Sequence, residues 1–197
     1  MNASFLTTIV TSTDCPGSSS AVFAYPTRFT DVTSTSDRAR KLIWNFKDGL
    51  RSSEVADLVS EKLQNTFNSS DLSDLCLICV PASTRAKNDS RFQSFVQKVC
   101  DKTRMTNGFN YITIQSDREA AHLGGTENAE YSYNEYAIKG SYIVLFDDVV
   151  TSGHSMRNLQ NKLESLGAIV VCAISLGRTY SDYHGENHQP HPYTGAL

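Results

Sequence analysis

Two adjacent carboxylates, Asp147 and Asp148, follow the apolar run Ile143-Val144-Leu145-Phe146 and precede the small, hydroxyl-rich segment Thr151-Ser152-Gly153-His154-Ser155. The apolar run shows no alternation with polar residues, which is the pattern of a central parallel strand buried on both faces. The acids are therefore expected where that strand ends, and the hydroxyl segment opens a helical pattern. A helix start leaves backbone N–H groups without acceptors and carries the positive end of the peptide dipoles, so it favours an anion. Gly153 removes the side chain that would keep such an anion at a distance. A phosphate monoester suits that loop. Paired acids beside it would repel the phosphate, so they are expected to face vicinal ribose hydroxyls and positive charge developing on the sugar. The plain alternative is a buried strand ending in solvated acids, followed by a helix capped by Ser or Thr.

A second polar loop, Pro81-Ala82-Ser83-Thr84-Arg85-Ala86-Lys87-Asn88, follows the apolar run Leu75–Val80 and carries two cations. The stretch from Gln115 to Asn134 holds Arg118, His122 and the pair Gly124-Gly125 with little periodicity. A connection that long is usually functional or without fixed structure. The five cysteines include a C-x-x-C at Cys76 and Cys79, which invites a metal or redox reading. Both lie within one strand-like run, where residues three apart address opposite faces, so the thiols cannot share a metal and are expected to pack as small apolar groups. His184, His188 and His191 fall among Gly, Pro and Asn in the tail and read as a flexible segment. No dedicated metal site is expected. A P-loop kinase is disfavoured because no G-x-x-x-x-G-K-[ST] occurs.

The elements that position these residues follow from periodicity. Val22–Tyr25 reads as an edge strand stopped by Pro26, with another short strand at Phe5–Val10. Leu42, Ile43, Phe46 and Leu50 share a helical face ending near Gly49; Val55, Leu58, Val59, Leu63 and Phe67 share the next, from Ser52. Leu75–Val80 is expected as the first strand of the main sheet, Phe92, Phe95, Val96 and Val99 as a helix, and Tyr111–Ile114 as the next strand. Met156, Leu159, Leu163 and Leu166 mark a helix stopping at Gly167, before an apolar strand at Ala168–Ser175. With Ile143–Phe146 this makes a β-α-β unit.

At 197 residues, the chain is expected to form a single domain with its core at about 70–176. Apolar residues make up 40 % and charged residues 20 %, as in ordinary soluble proteins. A net charge of −3 argues against a dedicated nucleic-acid binder. Neither a signal peptide nor a membrane-spanning run is evident, so the expected location is cytoplasmic and no membrane partner is expected.

The order of four apolar residues, two acids, an apolar pair and Thr-Ser-Gly-x-Ser resembles the phosphoribosyl-diphosphate (PRPP) motif of type I phosphoribosyltransferases. That resemblance implies a three-layer, doubly wound α/β fold: a mainly parallel sheet with helices on both faces and a small hood, supplied by the N-terminal segment or the tail. It implies transfer of ribose 5-phosphate from PRPP to a nitrogen acceptor, with release of diphosphate and Mg²⁺ carried on the substrate. Asp147 and Asp148 would hold the ribose, and Thr151, Ser152, Gly153, His154 and Ser155 the 5-phosphate. Ala82, Ser83, Thr84 and Arg85 occupy the place of the diphosphate loop, with Arg85 assisting catalysis, while Arg118 and His122 fall in the family's mobile lid. Thr151 stands where purine-salvage members often carry a third acid. The segments Lys41-Leu42-Ile43-Trp44-Asn45-Phe46-Lys47-Asp48-Gly49, Val80-Pro81 and Arg91-Phe92 look like the ComF-type, amidophosphoribosyltransferase-related branch, without its N-terminal four-cysteine zinc module. Homodimers are common in the family. A non-catalytic PRPP- or nucleotide-binding regulator, or a competence-type accessory protein, is the alternative, and the residues leave the acceptor unidentified.

Overall fold

The computed structural model describes residues 20–26, 34–116 and 130–180. Its centre is β6 (Tyr142–Val150), whose Ile143, Val144, Leu145 and Phe146 are all fully buried. Burial on both sides of one strand requires apolar layers above and below, and two clusters of side chains supply them.

On one face Val144 and Phe146 pack against Ile43 and Phe46 of α1 (Ser34–Lys47), Val55, Val59 and Leu63 of α2 (Ser52–Thr66), and Phe95, Val96 and Val99 of α5 (Ser94–Thr103). Phe46, Phe92, Phe95 and Phe146 form an aromatic knot there, with Phe95 tilted on Phe146 at 4.4 Å between ring centroids. On the other face Ile143 and Leu145 meet Met156, Leu159 and Leu163 of α7 (His154–Ser165) and Ile138 of α6 (Glu135–Ile138). The period-two alternation of the strand thus sorts its side chains between two helical layers.

The main sheet has five strands in the order β1-β7-β6-β2-β3, all paired in parallel. β1 (Ser20–Pro26) is an edge strand and ends on Pro26, as its sequence suggests. β2 (Leu75–Cys79) and β7 (Ile169–Tyr180) flank β6, and α7 connects β6 to β7. The architecture is the α/β type expected: a mainly parallel sheet between helical layers. The core also extends before residue 70, because α1, α2 and β1 belong to it. A short helix, α3 (Ser69–Leu72), separates α2 from β2.

Four expectations need correction. β6 does not end before the acids: its ladder with β7 continues through Asp147–Ser175, Val149–Gly177 and Val150–Arg178. Tyr111–Ile114 does not supply the next strand of the main sheet. β4 (Ile112–Ser116) pairs antiparallel with β5 (Glu130–Tyr133) in a separate ribbon, and the fifth main-sheet strand is β3 (Thr106–Asn107). The helix after β2 begins at Arg85 rather than near Phe92, as α4 (Arg85–Asn88), a π-turn (Asp89–Gln93) and then α5. Leu50 lies beyond the end of α1 and is 58 % exposed, so it is not part of that helix's buried face. The strand expected at Phe5–Val10, the lid residues Arg118 and His122, and the tail histidines lie outside the described residues.

Candidate functional site

Because β2 and β6 run parallel, from Leu75–Tyr142 to Cys79–Phe146, their carboxyl ends emerge on the same side of the sheet. The loops that follow them carry the residues singled out in the sequence. Open α/β sheets bind ligands at this end.

The two acids have different surroundings. Asp148 is buried, with Lys47 Nζ 3.6 Å from its Oδ1 and Arg91 Nη1 hydrogen-bonded to its Oδ2. Arg91 also donates from Nε and Nη2 to the Lys47 carbonyl, at 3.1 and 2.9 Å. Asp147 keeps a partly open surface and has no salt bridge among the described residues; its Oδ1 accepts the Asp148 N–H at 2.8 Å. Protein nevertheless encloses it on most sides, and its pKa is raised to about 7. Burial is the main cause and the Asp148 charge the second; the Asp148 N–H, Lys47 and Arg91 pull the other way. Of the two acids expected to face a sugar, Asp148 has both oxygens engaged by cations, and Asp147 is the one left partly open.

After β6 the chain turns through Thr151 and Ser152 into α7, with Gly153 as the N-cap at φ +76°. Few L-residues adopt that conformation without strain. A Cβ built there meets nothing nearer than Val150 Cγ1 at 3.9 Å, so the space over the turn is open. Thr151, Ser152, His154 and Ser155 are exposed. The first helical bond of this turn runs from Arg157 N–H to the Gly153 carbonyl at 3.0 Å, while the His154 N–H reaches Ser152 Oγ only at 3.5 Å. The amides of the first turn therefore lie at the positive end of a 12-residue helix, before any helical carbonyl they could reach.

The loop after β2 is less available than expected. Ala82 is buried, and its N–H donates to Asn88 Oδ1 at 3.1 Å. Thr84 caps α4, its Oγ1 accepting the Lys87 N–H at 3.3 Å. Ser83 and Arg85 are exposed. Arg85 lines a cavity of about 420 Å³ with Asn88, Asp89, Gln93, Phe109 and Asn110, between the helix after β2 and the start of β4 with the segment before it.

Cys76 and Cys79 behave as their spacing predicts, one in each apolar layer on opposite faces of the sheet. Burial pushes the Cys76 thiol up to about 12 and raises Cys79 well above its ordinary value, so neither is a ready thiolate. Among the described residues no three His, Cys, Asp or Glu side chains converge as a metal site, and no helix is long and apolar enough to cross a membrane.

Lys47 and Arg91 were the residues whose roles sequence reasoning missed. Neither spacing nor periodicity links position 47 or 91 to position 148.

No family model and no curated protein matches the sequence. Among solved structures, the chain is similar to UMP synthase from Leishmania donovani, with 19 % identity and a TM-score of 0.39 over 77 % of this chain. The chain spans 28 % of that protein's length. It is also similar to a purine phosphoribosyltransferase from Pyrococcus horikoshii, with 11 % identity and a TM-score of 0.35, covering 70 % of this chain and 91 % of the other.

Proposed function

We propose that the protein binds PRPP at the carboxyl end of β6 and transfers its ribose 5-phosphate to a nitrogen acceptor, releasing diphosphate. One observation carries this reading: a single strand-turn-helix sets the partly open carboxylate of Asp147 next to the open, amide-rich turn of Thr151–Ser155. The 5-phosphate would accept N–H groups of that turn, with hydroxyls from Thr151, Ser152 and Ser155 and the His154 side chain at its rim. Asp147 would accept from a ribose hydroxyl and place negative potential beside the anomeric carbon. As the bond from that carbon to diphosphate breaks, its positive charge grows, and a fixed carboxylate favours the change. The new carbon–nitrogen bond then forms as diphosphate leaves, and the acceptor nitrogen gives up its proton to the released diphosphate or to solvent water. Ser83 and Arg85, both exposed after β2, would contact the diphosphate. Mg²⁺ travelling on the diphosphate would neutralise the leaving group.

The second reading, a PRPP- or nucleotide-binding regulator without turnover, is favoured by one specific feature: the closure of Asp148 by Arg91 and Lys47 leaves a single open acid. Calorimetric titration with PRPP and Mg²⁺, followed by a diphosphate-release assay with nucleobases, ammonia and glutamine, separates the readings. Release with any acceptor establishes the enzyme, whereas binding without release under every acceptor supports the regulator. An absence of PRPP binding sinks the enzyme and the PRPP-binding form of the regulator.

A further inference from the structure

Lys47, Arg91, Asp147 and Asp148 form a compact group of two cations and two acids drawn from three separate elements. Arg91 is its hub. Three guanidinium nitrogens are committed, two to the Lys47 carbonyl at the end of α1 and one to Asp148, and the side chain is only 13 % exposed. The guanidinium also lies 5.5 Å from the centroid of the Phe92 ring. Its position depends on the π-turn Asp89–Gln93, a widened turn of the kind that re-aims a side chain inside a helix. A second contact holds the same elements together. Gly49, at φ +80°, brings the end of α1 so close to the π-turn that a Cβ there would stand 3.0 Å from the Ser90 carbonyl oxygen.

Two bare carboxylates would oppose the approach of a polyanionic sugar phosphate, and here one of them is already matched by two cations. We infer that Arg91, seconded by Lys47, is a positioning residue of this site: it holds Asp148 behind Asp147 and cancels its charge, so that a phosphorylated sugar meets one open carboxylate instead of two. The inference rests on the sugar-phosphate reading of the site for its ligand, though not for the coupling among the four residues.

The test uses the full chain as wild type, Arg91→Met, Arg91→Lys and Lys47→Met. The groups facing one another are Asp147 and Asp148 on β6, Lys47 at the end of α1, Arg91 in the π-turn and the Cys79 thiol on β2. Carbon-13 NMR follows the Asp147 carboxyl through pH, and calorimetry follows PRPP with Mg²⁺. Arg91→Met is expected to move the Asp147 midpoint upward and weaken PRPP binding by about tenfold or more, as loss of a charge-assisted contact does. Arg91→Lys should recover much of both, which a purely packing role would not require. Unchanged titration and affinity in a folded Arg91→Met protein overturn the inference. Should that variant fail to fold, Lys47→Met, whose side chain is 39 % exposed, replaces it; a smaller shift in the same direction supports the inference and no shift overturns it. If the wild type does not bind PRPP, the functional reading fails, and the carboxyl titration alone decides the coupling.

Discussion

At the residue scale, Asp147 gives the site a pH signature. Its carboxyl rises from 3.8 to about 7 in the fold, so the folded chain retains a proton that the unfolded chain has already lost. The fold is favoured by that proton below about pH 4, and the advantage disappears as pH climbs through the folded value near 7. Wild-type stability should therefore fall across this window relative to Asp147→Asn, in which the titrating group is gone. Urea unfolding midpoints of both proteins, compared from about pH 4 to about pH 8, read the difference directly; parallel curves would show that Asp147 is not the titrating group. The adjacent turn has its own test. Gly153→Val places a β-branched residue at φ +76°, with an expected cost of about 1–3 kcal/mol. It also intrudes on the proposed phosphate. Thermal melts should show the first effect, and loss of the increase in melting temperature produced by PRPP should show the second.

At the element scale, the parts visible in the sequence were those whose side chains repeat with a period. The unbroken run of β6, the apolar faces of α2 and α7 and the strand character of β7 all follow from burial, which the sequence records as pattern. β3 escaped because a two-residue strand has no period to detect. The π-turn escaped for a related reason: Phe92, Phe95, Val96 and Val99 fit an ordinary helical face and conceal the widened turn behind it. Of the candidate site, the hydroxyl-rich turn Thr151–Ser155 was legible because its residues are contiguous, whereas the Arg91–Asp148 pair joins positions 57 residues apart. The loop after β2 offers an element-level test, because Thr84 was expected to hold diphosphate and is found capping α4. Thr84→Ala should cost about 1 kcal/mol of stability, with Thr84→Ser recovering most of it. The PRPP dissociation constant should stay within about twofold in Thr84→Ala once the protein is fully folded. A selective loss of PRPP binding at unchanged stability would instead place the hydroxyl on the ligand.

At the scale of the whole molecule, the sheet has one long, vulnerable border. On the β3 side it tapers to a two-residue strand, whereas on the other side β7 runs for 12 residues and its outer edge is covered by β1. That cover is a parallel ladder from Ser20–Ile174 to Pro26–Tyr180, and Pro26 terminates it with a residue that cannot donate. Sequence order makes the arrangement unusual: the first described strand closes an edge presented by the last. Loss of β1 would expose a row of unpaired β7 N–H and C=O groups, a template for pairing with another chain. Ala21→Pro combined with Ala24→Pro places two prolines in the middle of β1 without shortening the chain; the two positions lie opposite Ser175 and Arg178 and are an odd number of residues apart, so one of the two lost N–H groups is a donor facing β7. The double variant should retain the helical signal of α1, α2, α5 and α7 in circular dichroism yet self-associate in light scattering at concentrations where the wild type keeps a constant mass. An unchanged mass in a folded double variant would mean that β1 does not guard this edge. The turn proposed to hold phosphate lies on the β6–α7 connection, away from the β1–β7 ladder, so PRPP binding by the unassociated fraction should persist and separate edge protection from site formation.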